Sequence, residues 1–147
     1  MCIFCDIVRG QAPASVVCRR GEFLAFMDIY PWRPGHVLVI PTSHHQHVHE
    51  MDMARRRDLF ALGSEIADAL RASDLPCDDL HFLINDGRAA NQTVPHVHLH
   101  VLPRRQGDLW RLVRALGLRP FVSLLGPTAR TTLDRQAAEI RRHLGKA

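Results

Sequence analysis

The stretch Gln92–Arg105, "QTVPHVHLHVLPRR", decides how the chain is read. His96, His98 and His100 stand at every second position, with Val97, Leu99 and Val101 between and after them. In a β-strand successive side chains point to opposite faces, so the three imidazoles share one face at steps of about 6.6 Å. Val97, Leu99 and Val101 then share the other face and pack on a core. A merely solvated face has no need of imidazole, because Ser, Thr or Lys serves it equally well. Two chemical readings remain: metal ligation by His-x-His on a strand, and chemistry by imidazole itself.

The segment that leads into the histidines, "NDGRAANQTVP" (85–95), is rich in small, amide and hydroxyl residues. Such a loop can direct backbone and side-chain donors at phosphate oxygens. A mostly neutral imidazole beside a phosphate ester is a competent nucleophile.

Working outward, "VVCRR" (16–20) and "FLAFMDI" (23–29) read as a hairpin, and "HVLVIP" (36–41) as a strand bounded by Gly35 and Pro41. "YPWRPG" between them is a turn. Leu59, Leu62, Ile66 and Leu70 fall on one face of a helix over 52–72, with Asp52 as the expected N-cap. "LHFLIN" (80–85) and 96–103 read as two more strands. Leu133, Ala137, Ile140 and Leu144 predict a second amphipathic helix, starting at Thr131 or Thr132 and ending before Gly145. The pattern is α+β on an antiparallel sheet.

Composition sets bounds. The 147 residues are enough for one domain, expected to span 1–147, with 46% apolar and 23% charged residues. A net charge of +4 suits an anionic ligand, while the short Arg runs do not make a nucleic-acid stripe. Four cysteines are too few for a disulfide scaffold of this length. Cys18 and Cys77 are expected to be packing residues, whereas Cys2 and Cys5 form a C-x-x-C. The N-terminus lacks signal-peptide character and no apolar run is long enough to span a membrane, so a cytoplasmic protein is expected. Residues 106–130 carry no interpretable motif, although "LWRLVRALGLRPF" (109–121) suggests a short helix.

"HVHLHVLPR" resembles the signature of the histidine-triad (HIT) family. "CIFCDIVRG", "FMDIYPWRPGHVLVIPTSH" and "INDGRAANQTVPH" are similar to that family's N-terminal segment, second block and phosphate loop, in the same order. The resemblance covers about residues 2–105, leaving 106–147 as an extension. It implies a five-stranded antiparallel sheet with one long central helix and a C-terminal helix, usually in a homodimer.

The resemblance also implies roles. His98 takes the nucleophile's position, attacking the α-phosphorus of a purine nucleotide derivative to give a nucleotidyl-histidine. His100 takes the position that contacts phosphate and assists the leaving group. His36 would support ring orientation, a buried core histidine being the competing reading. Asn85, Gln92 and Thr93 occupy phosphate-loop positions, with Asn91 where many members have Gly. Asp28 takes the ribose position, against an ordinary turn Asp. Ile3, Phe4, Ile7 and Ile29 take base-slot positions, against plain core. Cys2, Cys5, His44 and His96 match the ligands of a closed structural zinc site in zinc-containing members, with His45, His47 and His49 as rivals to His44.

The implied activity is nucleotidyl hydrolysis or transfer. "HVLPRRQGD" is similar to the branch that cleaves dinucleoside polyphosphates. The N-terminal "CIFC" is similar to generic bacterial-type members, and the Trp-Pro-Pro-Gly ending of the phosphoramidase branch is absent. A zinc-stabilised nucleotide-binding module with little turnover is the alternative. A metal-handling protein using the ten histidines is a third reading. A metallohydrolase fits least, lacking neighbouring carboxylates.

Overall fold

A computed structural model of the chain describes residues 2–108 and 126–145. The expected helix at 109–121 lies outside these residues. A short helix, α1 (Ile3–Val8), leads into the hairpin β1 (Val16–Arg20) and β2 (Phe23–Met27). Then come β3 (Val37–Pro41), the long helix α2 (Met53–Ala72), β4 (Asp79–Ile84), β5 (Leu99–Arg104) and α3 (Arg130–His143). The five strands form one antiparallel sheet in the order β1-β2-β3-β5-β4. The expected α+β fold is the observed one.

Strands β2 and β3 are buried along their whole length, because both faces of the sheet are covered. On one face, Ala25, Met27, Val37, Val39, Leu99 and Val101 pack with Leu59, Leu62, Ile66 and Leu70 of α2 and with Leu133, Ala137 and Ile140 of α3. On the other, Leu24, Phe26, Leu38 and Ile40 pack under Phe4 of α1. The apolar spacing that predicts α2 therefore marks its buried stripe. Asp52 caps it as expected, its Oδ1 accepting the Arg55 N–H at 2.8 Å. Cys18 and Cys77 pack against the helix-side core, and burial pushes both thiols up.

Two boundaries differ from the sequence reading. Strand β5 begins at Leu99, not at residue 96. Pro95 has no N–H, and the Val97 N–H donates to the His45 carbonyl at 2.7 Å, so the chain before Leu99 is tied to the 44–46 loop. Helix α3 begins at Arg130 with Ala129 at its N-cap, which places Thr131 and Thr132 inside its first turn. Gly145 does follow its end, at φ +76°.

Gly63 lets α2 approach β5: a Cβ there would lie 2.5 Å from Leu99 Cδ2, and Leu99 is fully buried. Gly63→Ala gains about 1 kcal/mol in helix propensity. Overpacking a core costs about 1–3 kcal/mol. The expected outcome in urea unfolding is a net loss of about 1 kcal/mol, accompanied by a lower thermal midpoint.

Candidate functional site

The three histidines are all buried, which their alternation alone does not reveal. Val97, Leu99 and Val101 join the helix-side core, and the imidazoles lie on the opposite side of the sheet. There the Phe4 ring meets His96 edge-on at 5.9 Å and His98 at 5.4 Å, centroid to centroid. Each imidazole has a different set of partners.

His96 Nε2 faces the Pro41 carbonyl at 2.9 Å and so carries the ring proton. Its Nδ1 lone pair points at Cys2 Sγ, 3.5 Å away, and Cys5 Sγ, 3.7 Å away. His44 Nδ1 lies 3.3 Å from Cys5 Sγ. Four ligand atoms, one each from Cys2, Cys5, His44 and His96, all lie within 4.8 Å of one another. About a tetrahedral ion with ordinary metal–sulfur and metal–nitrogen bonds, sulfur and nitrogen ligands stand about 3.6 Å apart. The observed separations match the edges of that tetrahedron, and the Pro41 carbonyl holds His96 in the ligating tautomer. The rivals are engaged elsewhere. His45 contacts Ser43 at 3.0 Å, His47 donates to Asp86 Oδ1 at 3.0 Å, and His49 stacks on His47.

His98 Nδ1 donates to the His96 carbonyl at 2.7 Å. This bond puts the proton on Nδ1 and the lone pair on Nε2. His100 meets His98 edge-on at 4.9 Å, and its Nδ1 lies 2.9 Å from His36 Nε2. His36 is fully buried; its Nδ1 lies 3.3 Å from the Trp32 N–H and 3.5 Å from Asp28 Oδ2. Asp28 Oδ1 accepts the Tyr30 N–H at 2.9 Å.

The loop after β4 is braced by its own amides. The Gln92 carboxamide accepts from Gly87 N–H at 2.9 Å and donates to the Gln46 carbonyl at 2.8 Å. Asn85 donates to the Asn91 carbonyl at 3.4 Å. Asn91 adopts φ +60°, the left-handed region that Asn tolerates and Gly would accept freely. Thr93 is exposed. Of the four base-slot residues, Phe4 lies beneath the triad and Ile7 packs beside it, while Ile3 and Ile29 are exposed.

Sequence reasoning missed two features. Trp32 stacks on the His100 ring, centroids 5.8 Å apart and planes 10° apart. An aromatic residue in a Pro- and Gly-rich turn gives no sequence signal of this. Asp108 is buried between Arg104, whose Nε donates at 3.0 Å, and Arg33, 3.4 Å away; Arg104 holds its carboxyl below the usual range. Arg104 and Asp108 stand in the quoted "HVLPRRQGD", but only the fold reveals their pairing.

A HIT domain family model matches residues 9–107. The chain belongs to the HIT family. This HIT protein is 43% identical over 139 residues to an uncharacterized HIT-like protein of Mycobacterium tuberculosis, covering 93% of this chain and 96% of that one. It is 37% identical over 103 residues to an adenosine 5'-monophosphoramidase of Schizosaccharomyces pombe, covering 70% and 74%. Its structure resembles that of a zinc-bound histidine triad family protein from Mycobacterium smegmatis, with TM-score 0.81 and 36% identity, covering 99% and 94%. Among the described residues no helix is long and apolar enough to cross a membrane.

Burial lowers the His96 pKa from 6.5 to about 4. The unfolded ring takes up a proton near pH 6.5, whereas the folded ring resists protonation down to about 4. Its contribution is therefore complete above pH 6.5 and is lost as pH falls toward 4, by up to about 3 kcal/mol. In chelator-treated protein the urea midpoint should fall across this window, and His96→Gln should flatten that part of the profile.

Proposed function

We propose that this HIT protein is a nucleotidyl hydrolase or transferase acting at the α-phosphate of a purine nucleotide derivative, a nucleoside phosphoramidate or a dinucleoside polyphosphate. The observation that carries the reading is the buried 2.7 Å hydrogen bond from His98 Nδ1 to the His96 carbonyl. In the neutral ring it fixes the proton on Nδ1 and leaves the lone pair on Nε2, the form a nucleophile requires. The His98 lone pair forms a bond to phosphorus as the bond to the leaving group breaks. His100 donates a proton to that group, and water then cleaves the nucleotidyl-histidine. The adenosine 5'-monophosphoramidases among the relatives support the substrate class.

The remaining residues serve binding. Asp28 accepts from the ribose hydroxyls, and Ile3, Phe4, Ile7 and Ile29 flank the base. Asn85, Gln92 and Thr93, with the backbone of their loop, hold phosphate. For Gln92 this requires its amide to exchange the Gln46 carbonyl for a phosphate oxygen. His36 orients His100. Cys2, Cys5, His44 and His96 hold a structural zinc, which supplies a cross-link between the N-terminal segment and the triad and takes no part in the reaction. The chain works as one domain in the cytoplasm. It forms a homodimer through the β4 edge and α2, where Met53, Phe60, Leu83 and Ile84 are exposed.

With a fluorogenic nucleoside phosphoramidate, His98→Ala should lose at least about 10³-fold in kcat. Unchanged turnover overturns the covalent route; retained AMP binding by a wild-type protein without turnover favours a binding module. Metal analysis should find one zinc per chain, with Cys5→Ala losing the metal and lowering the thermal midpoint.

A further inference from the structure

The segment that follows β3 carries more than a metal ligand. One residue past His44, the His45 carbonyl accepts the Val97 N–H at 2.7 Å, which ties the segment to the backbone between His96 and His98. Further on it is fastened to α2: the Arg56 side chain donates to the His49 carbonyl at 3.0 Å and to the Met51 carbonyl at 2.9 Å. Within the segment the Gln46 N–H donates to Glu50 Oε2 at 2.7 Å, the Glu50 N–H donates to the His47 carbonyl at 3.1 Å, and the His47 and His49 rings stack. Residues 45–51 thus form a base held at both ends.

The loop after β4 rests on this base at two points. At its far end, Gln92 Nε2 donates to the Gln46 carbonyl at 2.8 Å. At its near end, one oxygen of Asp86, Oδ1, accepts from the His47 ring at 3.0 Å and from the Val48 N–H at 3.3 Å. Between them Gly87, at φ +96°, brings its backbone against His47, where a Cβ would lie 3.6 Å from the ring's Cε1. The Asp86 and His47 side chains are both part-exposed, so water competes for each contact and neither is strong alone.

Phosphate treats the two points differently. Gln92 has a single NH2 group, and holding phosphate requires that group to leave the Gln46 carbonyl. Asp86 has no such second duty, because a carboxylate only accepts and would repel a phosphate oxygen. Once Gln92 turns, the Asp86 bonds are the hydrogen bonds that remain, among the described residues, between residues 85–92 and the base. A loop without them must be ordered by the ligand itself, at a cost to affinity.

We infer that Asp86 is a positioning residue for the phosphate loop: through His47 and Val48 it keeps the loop seated while Gln92 exchanges the Gln46 carbonyl for phosphate. The inference rests on the nucleotide reading, with Gln92 at the phosphate. A contact that is partly redundant in the free protein becomes the anchor of the complex.

The test compares AMP and adenosine binding, by calorimetry, in the wild type, Asp86→Ala and Asp86→Asn. Asp86→Ala should weaken AMP at least about fivefold and leave adenosine, which has no phosphate, within about twofold. Removing a negative charge near phosphate would by itself strengthen AMP, so this loss has the opposite sign to a bare charge effect. Asp86→Asn keeps an Oδ1 acceptor for both donors and should recover most of the affinity. A second arm needs no ligand. Gln92→Met cannot donate to the Gln46 carbonyl and so imitates the released state. Hydrogen exchange at Ala90 and Asn91, whose N–H groups bond to the Gly87 and Arg88 carbonyls, should quicken little in either Asp86→Ala or Gln92→Met. In the double variant it should exceed the product of the two single effects at least about tenfold. Single effects that simply multiply overturn the anchor whether or not nucleotide binds. Equal losses for AMP and adenosine, or a loss in Asp86→Asn as large as in Asp86→Ala, overturn its link to phosphate. A wild type that binds AMP no better than adenosine, beside a double variant that exchanges as expected, faults the nucleotide reading instead and removes phosphate as the reason Gln92 leaves.

Discussion

Burial of three imidazoles on one side of a sheet is the constraint on which the rest of the structure depends. A buried ring needs polar partners for its nitrogens, and each of the three meets a different set. His96 sets Nε2 against the Pro41 carbonyl and turns Nδ1 toward two thiols. His98 donates to the backbone of His96, so its orientation follows directly from where His96 is held. His100 is held by His36. A row that looks uniform in sequence becomes three different chemical groups.

The supports come from three separate parts of the chain. The N-terminal segment brings Cys2, Cys5 and Phe4 over the outer face of the sheet, while the segment after β3 brings His44. The turn between β2 and β3 brings Asp28, Trp32 and His36. On the inner face, Val97, Leu99 and Val101 are locked between α2, α3 and the strands, so the backbone carrying the imidazoles cannot shift. Rigidity of the helix side is what gives meaning to tenths of an ångström on the other.

Much of the fold was legible because its signals are local. Asp52 caps α2, the apolar spacing of Leu59 to Leu70 marks its buried stripe, and Asn91 takes up the left-handed conformation that its place in the loop requires. Where the reading failed, a distant partner had overridden a local pattern. Residues 96–98 alternate like a strand, yet Val97 is bonded to the His45 carbonyl and the ladder begins only at Leu99. Thr131 and Thr132 have good capping chemistry, but the helix already starts at Arg130 and takes both into its first turn.

The sequence by itself determined which residue types exist and which face they take: alternation on β5, a C-x-x-C near the start and an amide-rich loop before the histidines. Those follow from backbone periodicity, which any strand or helix obeys. Only the tertiary structure decided what each group meets. The approach of Cys2 and Cys5 to His96, Trp32 lying flat on His100, and Arg104 closing on Asp108 with Arg33 beside it all join residues from different elements. Proton placement on an imidazole depends on the atom a few ångströms away in space, and spacing along the chain does not encode that distance.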